Sequence, residues 1–109
     1  MKITLTLDNS KLLVLNNCMA HLDGIVFENT IRRLKSSVSI CIELRSELLQ
    51  KAIKTRQKTG NFTLKLSYYK ADALLNYLKE FEIYFPETDG IYEQTTINAI
   101  KGELHQKLL

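Results

Sequence analysis

The chain has no tryptophan, one proline, four glycines and two cysteines among its 109 residues. So little Pro and Gly excludes a disordered linker or a collagen-like chain, which need both in quantity. Gly24, Gly60, Gly90 and Gly102 stand singly, so there is no Gly-rich loop to cradle a phosphate. No serine lies in a nucleophile-elbow context, and neither His21 nor His105 belongs to an HExxH or HxH pattern. Cys18 and His21 share a helix face at i,i+3, which is half a metal site at most. A buried structural thiol beside a surface imidazole is the expected reading, with no cofactor and no metal. No apolar run approaches the roughly eighteen residues of a membrane span. The N-terminus opens on the alternation Lys2-Ile3-Thr4-Leu5-Thr6-Leu7, unlike a charged-then-apolar secretory leader. Cys18 and Cys41 sit in apolar periodic stretches and read as reduced core thiols. These absences predict a soluble cytoplasmic protein with no membrane partner, no evident small-molecule substrate and no catalytic residues.

What is present is ordinary globular composition, 45% apolar and 25% charged. A chain of this size buries roughly 65% of its unfolded surface, enough for one modest core in a single domain, 1–109. Net charge is +3, unevenly spread. Residues 1–60 hold ten Lys/Arg against five Asp/Glu; residues 61–109 hold five against seven. Lys51, Lys54, Arg56 and Lys58 form a basic run, a candidate patch. Glu80, Glu82, Glu87, Asp89 and Glu93 form an acidic one. Such runs are most often solvated faces or each other's complements.

The sequence also repeats itself. Displaced by 59 positions, residues 3–22 fall on 62–81 with six identities in twenty, among them Thr4/Thr63, Leu5/Leu64 and Lys11/Lys70. Displaced by 56, residues 47–53 fall on 103–109 with four identities in seven, including Glu47/Glu103 and Lys51/Lys107. Two matches in the same order argue for a duplicated unit, with repeats 1–60 and 61–109.

Each unit reads strand, helix, helix. Ile3, Leu5 and Leu7 share one strand face, as do Phe62, Leu64 and Leu66. Asp8 and Ser67, at the same repeat position, are expected to cap the helices that follow, about 9–22 and 68–81. The first of these helices is apolar over most of its circumference, through Leu13, Val14 and Cys18 as well as its main stripe. It is therefore either central or covered by a partner. Tyr68-Tyr69 at the start of the third helix is expected to pack as a staple. The second helix should run from near Asn29 to Lys58, with Ile31, Leu34, Val38, Cys41, Ile42, Leu48, Leu49, Ala52 and Ile53 inward. Ser36-Ser37-Val38-Ser39 is a soft point in it, and Gly60 is its stop. The fourth helix should span about 91–108. The strands must place their hydrogen bonds somewhere, so they are expected to pair antiparallel with each other, within one chain or swapped between two. The predicted fold is a helix-rich α+β domain of order β-α-α-β-α-α, its two-stranded ribbon packed on four helices.

The ribbon's outward face would carry Lys2, Thr4 and Thr6 opposite Asn61, Thr63 and Lys65. Hydrogen-bonding side chains on such a ribbon suit the major groove of DNA. The alternating strand, the Asp8 or Ser67 cap and the turn at Asp23-Gly24 make the chain similar to the ribbon-helix-helix repressors. It resembles two such units fused, over Lys2 to about Leu44 and Asn61 to Leu109. The resemblance implies that those six side chains read bases, and that amides near Asn29 and Ile91 hold phosphates. The ending from Tyr92-Glu93 to Leu104-His105-Gln106-Lys107-Leu108 is also similar to small bacterial and mobile-element proteins, which implies no activity.

Two readings follow. The favoured one is a non-catalytic protein-interaction or regulatory module, self-associating as a homodimer or standing as a monomeric pseudo-dimer, because the over-apolar helix 9–22 and the basic and acidic runs suit association while the acidic second half opposes a phosphate backbone. The alternative is a sequence-specific DNA-binding regulator that uses the ribbon.

Overall fold

A computed structural model describes residues 2–24, 32–84 and 91–109, apart from the side chains of 23, 24, 32–35, 81–84 and 91. The element order is β1 (Lys2–Leu7), α1 (Asn9–Met19), a 3₁₀ turn (Ala20–Gly24), α2 (Arg32–Thr55), β2 (Phe62–Ser67), α3 (Tyr68–Tyr84) and α4 (Ile91–Leu108). It is the expected helix-rich α+β arrangement, with the strands pairing antiparallel within one chain.

The register pairs Thr4 with Lys65, Leu5 with Leu64 and Thr6 with Thr63. Leu5 and Leu64 are aligned positions in the sequence match, and their pairing is the register that a two-fold exchange of Thr4 with Thr63 and Thr6 with Lys65 would require. Burial follows the repeat as well. Ile3, Leu5, Leu7, Leu12, Leu15 and Met19 are buried, and so are their equivalents Phe62, Leu64, Leu66, Ala71, Leu74 and Leu78. One core joins these residues with Val38, Cys41, Leu44 and Leu48 of α2 and Ile97, Ile100 and Leu104 of α4. The apolar ribbon face closes over the helices because every second strand residue must point inward.

Several local expectations are corrected. α1 leaves α-helical geometry after Met19, and the chain reaches buried Leu22 through the 3₁₀ turn. α2 runs unbroken through Ser36–Ser39, where Ser37 is itself buried. It ends at Thr55, whose hydroxyl donates back to the Lys51 carbonyl (2.9 Å). Gly60 is not its stop. It lies five residues further on at φ 97°, a left-handed turn that delivers the chain into β2. On α2 the expected inward residues Val38, Cys41 and Leu48 are buried, but the stripe is narrower than expected. Leu44 is buried, while Ile42, Leu49 and Ile53 are exposed, because α1 and α3 flank the stripe centred on Cys41 and Leu48. Ile31 lies outside the described residues, as does the Leu34 side chain. α3 extends to Tyr84, beyond the expected 81.

The caps differ between the repeats. Asp8 accepts from the Lys11 amide (2.8 Å), as a helix cap should. The Ser67 hydroxyl is buried and makes no hydrogen bond among the described residues. Ser67 remains the last residue of β2, so its side chain keeps the strand's orientation and does not turn toward the helix.

Candidate binding groove

The ribbon has two edges, and the helices treat them differently. At the β1 edge α4 closes on the strand: the Thr6 amide donates to Glu103 Oε2 (3.1 Å), and Lys107 Nζ donates to the Thr4 carbonyl. Lys107 also pairs with Glu103 (2.9 Å). At the β2 edge α2 stands off, and a groove of about 550 Å³ opens between α2, β2 and the start of α3.

Among the described residues, Lys2, Lys51, Lys54, Lys65 and Lys70 line this groove, with Glu47 as the single acid. Glu47 is already engaged by Lys70 in an ion pair. That hydrogen bond raises the Lys70 pKa and outweighs the opposing cost of desolvation. Lys51 Nζ lies over the Phe62 ring, 5.7 Å from its centre, a cation–π contact. With Glu47 neutralised by Lys70, the ammonium groups of Lys2, Lys51, Lys54 and Lys65 remain uncompensated and make the face positive.

The groove brings together parts of the two candidate sets. Lys2, Thr63 and Lys65 of the ribbon meet Lys51 and Lys54 of the basic run. Thr4 is half-buried, and Thr6 is exposed beside the Glu103 carboxylate, so these two belong to the opposite edge. Asn61, Arg56 and Lys58 are exposed but do not line the groove. The Lys58 carbonyl instead accepts from Asn9 Nδ2 (2.9 Å), tying the end of the basic run to α1. Of the phosphate-binding amides implied by the resemblance, Asn29 lies outside the described residues and Ile91 opens α4. Glu87 and Asp89, in the acidic run, also lie outside them.

Sequence reasoning missed Lys70, Glu47 and Tyr69. Lys70 repeats Lys11 and Glu47 repeats Glu103, so the repeat singled out both positions. Only the packing of α3 along α2 makes them neighbours. Tyr69 was expected to pack as a staple, yet it is 55% exposed on the groove wall. Tyr68 is also exposed, its hydroxyl donating to the Leu108 carbonyl (3.3 Å).

A second surface lies on the α1–α2 side. Leu13 is 61% and Ile53 63% exposed, with Ile42 and Leu49 also open. Asn16 Nδ2 donates to the Leu48 carbonyl, and Arg45 donates to the Asn16 carbonyl. With Asn9 bonded to the Lys58 carbonyl just past α2 and Asn16 to that of Leu48, α1 and α2 run antiparallel.

Burial pushes both thiols up to about 12, so Cys18 and Cys41 are neutral near pH 7. Cys18 is buried while His21 and His105 are exposed. Among the described residues no three His, Cys, Asp or Glu are grouped to hold a metal. No helix among them is long and apolar enough to cross a membrane. Comparison with protein-family models, with curated proteins and with solved structures found no match for this chain.

Proposed function

We propose that this protein is a non-catalytic protein-interaction module that docks an acidic partner in the groove between α2 and β2. The convergence of Lys2, Lys51, Lys54, Lys65 and Lys70 on one face carries the reading. Like charges are costly to bring together, and an anionic partner relieves that repulsion on binding. The exposed apolar stripe along α1 and α2 gives the same module a second contact surface, suited to self-association.

DNA binding is the second reading, favoured by the way Lys2, Thr63 and Lys65 share the ribbon with neighbouring Lys51 and Lys54. Against it, the Glu103 carboxylate stands beside Thr6, where a phosphate or base edge would have to approach.

Fluorescence anisotropy separates the two. A labelled peptide rich in Asp and Glu and a labelled random-sequence duplex are titrated at about 50 and 200 mM salt, the range over which phosphate contacts lose most affinity. The peptide is expected to bind and to lose at least about tenfold in affinity with Lys51→Glu plus Lys54→Glu, a loss of about 1.4 kcal/mol. Tighter, steeply salt-dependent duplex binding would favour the DNA reading. Binding of neither at the lower salt would end both.

A further inference from the structure

We infer that the open edge of β2 is completed by an extended acidic segment of a partner protein, added beside it as a third strand. The inference rests on the interaction-module reading above and specifies how the partner binds.

The backbone geometry sets up the edge. In an antiparallel pair, directly opposed residues either exchange both backbone bonds or exchange neither, in alternation. Thr4 and Thr6 turn backbone groups away from β2, toward Lys107 and Glu103. Their opposites, Lys65 and Thr63, must then turn theirs away from β1 and into the groove. These groups find no partner among the described residues. A row of unmet main-chain donors and acceptors is what strand addition uses.

The repeat indicates what the edge lacks. Glu103 and Lys107, which close the β1 edge, correspond to Glu47 and Lys51 on α2. Under a two-fold exchange, Glu47 would reach the Lys65 amide and Lys51 the Thr63 carbonyl. Neither does, since Lys70 holds Glu47 and Lys51 rests on Phe62. One edge is closed by the chain's own carboxylate, while its counterpart is left facing lysines.

Charge selects the occupant. Carboxylates on an added strand would meet Lys65 and Lys2 on the ribbon and Lys51 and Lys54 across the groove. The same lysines repel the β2 edge of a second copy, which keeps this edge from pairing with itself. Thr63 to Ser67 offers five residues of edge, roughly 17 Å at about 3.4 Å per residue. Side chains of the added strand alternate, one set beside Thr63 and Lys65 and the other over Leu64 and Leu66. A segment of alternating acidic and β-branched apolar residues fits both.

The test uses the full chain and three heptapeptides that alternate Glu and Val. One is unmodified; the other two carry backbone N-methyl groups on one or the other alternate set of residues. Strand addition predicts that one methylated peptide binds like the parent and the other at least about tenfold more weakly, because its main-chain bonds go unmade. It also predicts slowed amide exchange at Thr63 and Lys65 in the complex. If all three peptides bind equally and still respond to Lys51→Glu plus Lys54→Glu, charge alone holds them. Strand addition is then overturned, while the interaction reading stands. If none binds, both fail. If a DNA duplex displaces the peptide and binds more tightly, the groove is a phosphate site and the strand proposal is overturned.

Discussion

At the scale of single residues the core is defined by what it keeps from water. Cys41 is fully buried, its thiol 3.5 Å from the Ala73 carbonyl, and Cys18 is nearly so. Tyr77 donates to the Cys18 carbonyl (2.8 Å), satisfying a backbone acceptor in the last turn of α1. Burial raises the Tyr77 hydroxyl pKa too, with the neighbouring thiols adding to the effect. The folded state therefore holds protons that the unfolded chain releases. Well below pH 9 both states keep their thiol protons and this contribution to stability is fully present. Between 9.0, the ordinary thiol value, and about 12, the unfolded chain ionises first, so stability falls as pH rises. Melting temperature followed by circular dichroism should be flat to about pH 8.5 and then decline. Cys18→Ala with Cys41→Ala should make that decline shallower. An unchanged slope would mean that the thiols titrate as exposed groups, contrary to their burial.

At the scale of elements, two positions that look alike in sequence are expected to behave differently. Asp8 spends its carboxylate on the Lys11 amide, so Asp8→Ala should cost about 1 kcal/mol in urea denaturation, as lost caps do. Ser67→Ala should change stability by no more than about 0.5 kcal/mol in either direction, since its hydroxyl bonds to nothing among the described residues. A loss at Ser67 as large as that at Asp8 would show that α3 is capped after all. The contrast marks how far local pattern carries. Period-two alternation placed both strands, and α4 matched its expected span, because apolar spacing there has one solution. The α2 stripe was harder to read, since Ile42, Leu49 and Ile53 offer a helical period as regular as that of Cys41, Leu44 and Leu48. Which face turns inward depends on where α1 and α3 dock, and spacing within one helix does not contain that information. The groove follows the same logic. Its ribbon and α2 lysines stood out as charges in sequence, but their meeting with Lys70 and Tyr69 is a product of tertiary packing.

Across the whole molecule the two edges of the ribbon are treated differently. The sequence match, the register through Leu5 and Leu64 and the matched burial of aligned residues are what a duplicated unit with equivalent ribbon edges would produce. Lys70 disturbs that equivalence by drawing Glu47 away from the β2 edge, while Glu103 stays on the β1 edge. The asymmetry is directly measurable, because Thr6 and Lys65 are aligned positions of the sequence match with opposite fates. In the free protein the Thr6 amide should exchange slowly with solvent deuterium and the Lys65 amide quickly, as resolved by NMR. Glu103→Ala removes the acceptor at Thr6 and should raise its exchange rate toward that of Lys65, while leaving the core amides of Leu5 and Leu64 protected. Loss of protection at Leu5 and Leu64 as well would mean that α4 holds the ribbon on the core and does more than close its edge. A Lys65 amide as slow as Thr6 in the parent would mean that Glu47 closes the β2 edge in solution, and the groove would then have no free backbone to offer a partner.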